Sequence, residues 1–229
     1  MEEQETLRPL PGLQIRELDE ALTRYEAALG EDVEAARYLL GRGMSEAVAA
    51  THRLGVVRDP LAEHLRYEGW LAIPYLGHDG LPVQIRFRCM KDHDHGAYYH
   101  GKYMTLDGDP ARVYGVQSIH AADDEIHVTE GELDRIVLTM LGFHAVAIPG
   151  ASGFQSHHRR MLAGFSRVYV WGDPDEAGAA FAGKITRMMS QAVSVRLPMD
   201  VNDTYLHLGE QAIFDAFFDV SNRKENANE

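Results

Sequence analysis

The chain has 229 residues, 45% hydrophobic and 25% charged, which fits one large or two small globular domains and excludes a disordered tail. Its formal net charge of −13 excludes a protein that coats nucleic acid by bulk electrostatics, because such binding rests on Lys and Arg neutralising phosphates. The single cysteine, Cys89, excludes an internal disulfide and a cysteine-based zinc ribbon within the chain.

From Glu17 to Leu40 the apolar spacing is near 3.6 and predicts one helix, broken at Gly41 and Gly43 and followed by a short second helix from an N-cap at Ser45 to Leu54. Trp70, Ala72 and Pro74 then lead into a turn at His78-Asp79-Gly80. Beyond the turn Val83, Ile85, Phe87 and Cys89 alternate with Gln84, Arg86, Arg88 and Met90, so a hairpin is expected with Arg86 and Arg88 on the face away from the core. Residues 91–125 are rich in His, Asp, Gly and Tyr. In that stretch Asp92-His93-Asp94-His95, with Cys89 and His100, has the look of a metal cluster, but on such a loop it reads as a solvent-exposed turn. A junction is expected at Ala121-Ala122-Asp123, after the first 122 residues.

The texture then becomes regular. Ile126–Thr129, Ala145–Ile148, Val168–Trp171 and Val193–Leu197 read as buried strands, separated by helices at 132–141, 156–163 and 175–190, with Gly142 as a C-cap. Such alternation predicts a parallel sheet with helices on its faces. Gly150-Ala151-Ser152-Gly153 before His157-His158-Arg159-Arg160 is a turn able to touch phosphate at a helix N-terminus. Residues 211–229 read as a C-terminal helix and flexible tail. No stretch reaches the roughly 18 apolar residues that span a bilayer, and the acidic start MEEQE is unlike a signal peptide. No membrane partner and a cytoplasmic location are therefore expected.

Ligands of open parallel sheets gather at the carboxyl ends of strands, and three of the expected strands end in acids: Glu130, then Asp173 and Asp175, then Asp200. Singly each reads as a helix N-cap or a solvated loop acid. Together they form a set of hard oxygen ligands suited to Mg²⁺ or Mn²⁺. Gly131 and Gly178 follow two of these acids closely, where backbone must approach a ligand or pack a helix.

Thr129-Glu130-Gly131-Glu132-Leu133-Asp134, followed by Asp173-x-Asp175-x-Ala177-Gly178, resembles the TOPRIM signature of bacterial-type primases, topoisomerases and some nucleases. Leu71-Ala72-Ile73-Pro74-Tyr75, Arg86-x-Arg88, Gly101-Lys102-Tyr103-Met104 and Val113-Tyr114-Gly115 resemble the subdomain that precedes TOPRIM in DnaG-like primases. Asp200-Val201-Asn202-Asp203 resembles the acidic motif that closes that domain, and the Glu130-Gly131-Glu132 form is closest to phage primases. The resemblance spans roughly residues 30 to 210. It implies an α/β fold with a TOPRIM-type parallel-sheet domain at 123–210, preceded by a smaller mixed α+β subdomain at 1–122.

The same resemblance implies a primase core that makes short RNA primers on single-stranded DNA by two-metal nucleotidyl transfer, in a bacterial cell or phage-infected host. Glu130, Asp173, Asp175 and Asp200 would bind two or more Mg²⁺ or Mn²⁺ ions, with Glu130 also a general base. Asp134, Asn202, Gly131 and Gly178 would support them. Arg86, Arg88, Lys102 and Arg112 would hold template or ribonucleoside triphosphate. No zinc is expected in the chain itself. Full-length relatives add a zinc ribbon and a helicase or helicase-binding region, and the expected partners are therefore a replicative helicase and a separate zinc-ribbon protein. The alternatives are a TOPRIM nuclease using the same acids and a non-catalytic module that binds single-stranded DNA. A dinucleotide-binding fold lacks its GxGxxG.

Overall fold

The structure is a computed structural model that describes residues 10–149 and 153–225. Two compact units are formed, one from residues up to Leu39 plus Ser45–Ala111 and the other from Leu40–Met44 plus Arg112 onward. The division at Ala111 and Arg112 falls earlier than the expected junction after residue 122.

In the first unit α1 (Gly12–Glu31) packs on an antiparallel sheet ordered β1 (Gly55–Val56), β2 (Leu71–Leu76), β3 (Pro82–Arg88) and β4 (Tyr103–Met104). The expected long helix is in fact two. Asp32 adopts an extended backbone, ending α1, and its carboxylate accepts the N–H of Ala35 at 3.0 Å to start α2 (Val33–Gly41). The capping preference of Asp outweighs an apolar period that runs on through it. Ser45 caps α3 (Glu46–Thr51) as the sequence indicates, with its hydroxyl accepting the N–H of Val48 at 3.3 Å. The core joins Ala21, Leu22 and Tyr25 of α1 to Ala72, Ile85 and Phe87 of the sheet, and Tyr67 stacks on Phe87 with ring centroids 4.1 Å apart. Pro74 is tolerated in β2 because β1 pairs only as far as Ala72, leaving an edge where no N–H is needed.

The second unit begins, after residues 40–44, with α4 (Gln117–Ala121). Strands β5 (Glu125–Thr129), β6 (Ala145–Ala147), β7 (Arg167–Trp171) and β8 (Ala192–Val195) form a four-stranded parallel sheet in the order β6-β5-β7-β8. They alternate with α5 (Glu132–Met140), α6 (Ser156–Leu162) and α7 (Glu176–Met188), and α8 (Val201–Leu208) and α9 (Glu210–Glu225) follow. Ile126, Val128, Val146, Val168 and Val170 bury against Phe181 and Ile185 of α7. His127, Tyr169 and Trp171, on the alternate positions, meet Phe143 and Phe217 in an aromatic layer. Both faces are covered, which explains the near-continuous apolar strands.

Gly142 takes the left-handed conformation expected of a C-cap, with φ 89°. Helix α9 continues through Glu225, so part of the expected tail is helical. Among the described residues, no helix is long and apolar enough to cross a membrane.

Candidate functional site

Strand order creates the site of the second unit. The chain leaves β5 through α5 to β6 on one side, and leaves β7 through α7 to β8 on the other. Adjacent strands whose connections depart in opposite directions open a crevice at their carboxyl ends. Glu130 lies one residue beyond β5, and Asp173 and Asp175 lie just beyond β7, so this crevice is lined with carboxylates.

Their mutual influence is direct. Burial first, then the charges of Asp173 and Asp175, push the Glu130 carboxyl above the usual carboxylate range. Its Oε2 is sealed from solvent without a hydrogen-bond donor. A buried carboxylate oxygen without a donor is unfavourable unless a cation completes it, so this hard-oxygen set fits a divalent metal. Asp175 also caps α7, accepting the N–H of Gly178 at 2.8 Å. Gly178 is required here because a Cβ would collide with the backbone of Asp173. At Gly131 a Cβ would meet the Asp134 carboxylate, a side-chain end, where backbone blocks it at Gly178.

Asp200 enters differently. Its carboxylate caps α8, accepting the N–H of Asp203 at 2.6 Å, and it is not among the charges acting on Glu130. The link between α8 and the crevice is Asp134, whose Oδ1 accepts the backbone N–H of Asn202 at 2.9 Å. Asn202 is buried and reciprocally tied to Arg42: its Nδ2 donates to the Arg42 carbonyl at 2.8 Å, and its Oδ1 accepts from the guanidinium at 3.2 Å. The same guanidinium donates to Asp203 at 3.3 Å. Arg42 is a residue that sequence reasoning missed, and nothing local to it announces a partner on α8. A second missed residue is Arg196, which with Asp173, Gly178 and Thr186 lines a cleft of about 350 Å³.

The basic residues of the first unit fall into two kinds. Arg86 and Arg88 do share a face of β3, and both guanidinium groups lie over the Tyr103 ring, at 4.8 and 4.5 Å. Arg88, however, is buried and donates to the Tyr38 hydroxyl, so it is not part of an exposed ridge. Two aromatic hydroxyl-bearing rings make that burial possible by replacing water around the cation. Arg86 is half-buried and Lys102 exposed. Arg112 is half-buried and belongs to the second unit.

Two loops read from sequence also resolve. Gly150-Ala151-Ser152 lies outside the described residues. His158, assigned to a phosphate-touching helix start, is buried in a capping box in which the Gln155 N–H donates to its Nδ1 at 3.1 Å. Cys89, His93, His95 and His100, by contrast, converge so that their ligand atoms all lie within 4.8 Å of one another. The loop that carries the histidines is the solvent-exposed turn expected, with Asp92, Asp94 and residues 96–99 exposed.

Residues 127–205 match the Toprim-like family. The gene 57 protein of Mycobacterium phage D29 is 30% identical over 155 residues, covering 65% of this chain and 98% of the phage protein. The RNA polymerase domain of Mycobacterium tuberculosis primase DnaG, solved in complex with double-stranded DNA, superposes with a TM-score of 0.75 at 22% identity, over 90% of this chain and 80% of that one. A DnaG primase catalytic domain bound to single-stranded DNA gives a TM-score of 0.70 at 19% identity, over 91% and 79%. The chain therefore belongs to the same family as the gene 57 protein of Mycobacterium phage D29, contains a Toprim-like segment at residues 127–205, and has the fold of the DnaG-type primase catalytic core.

Proposed function

We propose that the chain is a primase catalytic core that synthesises short RNA primers on single-stranded DNA. The observation that carries this reading is the extent of the structural likeness: it covers 90% of the chain, and so includes the first unit as well as the Toprim-like sheet. A protein that used the acids only to cut nucleic acid would have no evident need of the β2–β3 hairpin and the Lys102 region.

Glu130, Asp173 and Asp175, with Asp200 on the neighbouring helix, would hold Mg²⁺ or Mn²⁺. Bound there, such ions lower the charge on the reacting phosphates and on the attacking oxygen. The residues supply the rest. Glu130, just beyond the end of β5, accepts the proton of the attacking 3′ hydroxyl. Asp134 and Asn202 hold the α8 N-terminus, and with it Asp200, in register with the crevice. Arg86 and Lys102 contact template or triphosphate phosphates, and Arg88 acts behind them by fixing Tyr103. Arg112 contributes from the second unit. The expected partners are single-stranded DNA and ribonucleoside triphosphates, with a replicative helicase and a zinc-ribbon protein as accessory factors.

Extension of labelled ribonucleotides on single-stranded DNA with Mg²⁺ or Mn²⁺ tests the reading. Short RNA products are expected from the native chain. Asp173→Ala and Glu130→Ala should reduce them by about a hundredfold or more with unchanged circular dichroism. Metal-dependent shortening of the template without new RNA would instead establish a nuclease. DNA binding with neither product would establish a non-catalytic module.

A further inference from the structure

We propose that Cys89, His93, His95 and His100 form a structural site for one zinc ion, which clamps the connection between β3 and β4. This site is independent of the carboxylates, and the proposal does not depend on the primase reading.

The loop backbone is built to gather these side chains. Cys89 follows the last residue of β3, and its N–H donates to the Lys102 carbonyl at 3.0 Å, closing the two ends of the loop. Inside it the Asp94 carboxylate accepts the Gly96 N–H at 3.0 Å, and the His95 carbonyl accepts the N–H groups of Tyr98 and His100 at 3.2 and 3.1 Å. A single 3₁₀ turn at Gly96–Tyr98 and a left-handed Tyr99, φ 56°, then reverse the chain. A non-glycine residue in that conformation is uncommon and is held only where surrounding structure demands it. The result is that the His93, His95 and His100 rings approach pairwise to 4.6, 5.1 and 5.2 Å between centroids. His93 is also stacked on Tyr98 at 4.6 Å.

The donor atoms suit zinc in number, type and spacing. Zinc–sulfur and zinc–nitrogen bonds of about 2.3 and 2.0 Å set tetrahedral edges of about 3.3 Å between nitrogens and about 3.5 Å between sulfur and nitrogen. The Cys89 Sγ to His93 Nε2 separation is 3.5 Å, and all four donors lie within 4.8 Å of one another, so side-chain rotation on an exposed loop is enough to close the remaining edges on an ion. One thiolate and three imidazoles, with no carboxylate among them, favour zinc over the magnesium or manganese suited to the Glu130 crevice. Two details orient the imidazoles. The His100 Nδ1 faces the Gly101 carbonyl at 3.0 Å, which places the proton on Nδ1 and leaves the Nε2 lone pair free for a metal. The His95 Nδ1 is sealed from solvent with no hydrogen-bond partner, an arrangement that a thiol–imidazole hydrogen bond elsewhere in the cluster leaves unexplained. Four protein ligands fill a tetrahedral shell, so the ion is structural. One cysteine rules out a ribbon of cysteines, but not this set.

The clamp also bears on the residues beside it. Arg88 precedes Cys89, and Lys102 lies two positions beyond His100, so the ion fixes both ends of the segment that presents these cations. Its net contribution with one thiolate is a single positive charge.

The test is metal analysis of the full chain, purified without a polyhistidine tag and passed through a desalting column. About one zinc per chain is expected, and Cys89→Ser and His95→Ala should each lose it. In a separate experiment that needs no variant, the native chain stripped with a strong chelator and titrated with Co²⁺ should develop tetrahedral d–d bands and a thiolate charge-transfer band at one equivalent. A chain that carries no zinc and gives no such bands overturns the proposal. Zinc retained in the Cys89→Ser, His95→Ala double variant places the ion elsewhere and also overturns it. Stoichiometric iron, copper or nickel in place of zinc overturns the assignment of the ion. None of these readouts depends on primer synthesis.

Discussion

Each unit buries a neutral histidine, and each makes stability depend on pH. His64 is enclosed in the first unit, where its Nδ1 meets the Tyr25 hydroxyl at 3.0 Å, and burial pulls its pKa down to about 4. His127 lies between Phe143, Tyr169 and Trp171, and burial takes it to about 3. The Trp171 indole N–H donates to the His127 Nδ1 at 3.0 Å, which assigns the ring proton to Nε2. In the unfolded chain both rings take up a proton near 6.5. The folded state refuses it, so the contribution is fully present above pH 6.5 and is lost as pH falls toward 4 for His64 and 3 for His127. Urea unfolding at pH 7 and pH 5 should differ by about 2 kcal/mol per histidine. His64→Gln, which keeps an acceptor for Tyr25, should flatten the dependence in this range by about one proton. An unchanged slope would mean that the proton uptake resides on other groups.

At the level of elements, the seating of α7 and α8 decides whether the carboxylates meet. Gly178→Ala forces α7 away from the Asp173 backbone. It should therefore abolish the stabilisation by added Mg²⁺ that a thermal melt of the native chain is expected to show, while circular dichroism in the far ultraviolet is retained. Asn202→Ala removes the hydrogen bonds to the Arg42 carbonyl and guanidinium and leaves Asp203 to hold the arginine, an expected loss of about 1–2 kcal/mol, measurable by urea unfolding.

These elements also mark what a sequence discloses. The strands of the second unit were readable because burial on both faces makes them continuous apolar runs, and Glu130 and Asp173 because strand ends carry them to one crevice. The break at Asp32 was hidden by an apolar period that continues through it. The burial of Arg88 depends on Tyr38, which no strand periodicity could supply. The pairing of Arg42 with Asn202 joins residues with no local relation. The gathering of Cys89 with three histidines depends on a left-handed Tyr99, which composition does not signal.

Over the whole molecule the net charge of −13 governs how nucleic acid can be held. Only local cations can act, so affinity for single-stranded DNA should depend on salt weakly, with a logarithmic slope no steeper than about −3. Lys102→Ala should lower that slope by about 0.7, read by fluorescence anisotropy of a labelled oligonucleotide at several salt concentrations. An unaltered slope would remove Lys102 from the contact. The path of the chain carries another consequence. It visits the second unit at residues 40–44, departs, and returns at Arg112, and the early visit delivers the Arg42 carbonyl and guanidinium to Asn202 and Asp203. A fragment cut at residue 112, or a chimera that grafts the Toprim-like segment alone onto a new host, would thus inherit an α8 stripped of its strap. The unit of exchange between such proteins is a set of residues assembled in space, and a pentapeptide from far upstream has to travel with it.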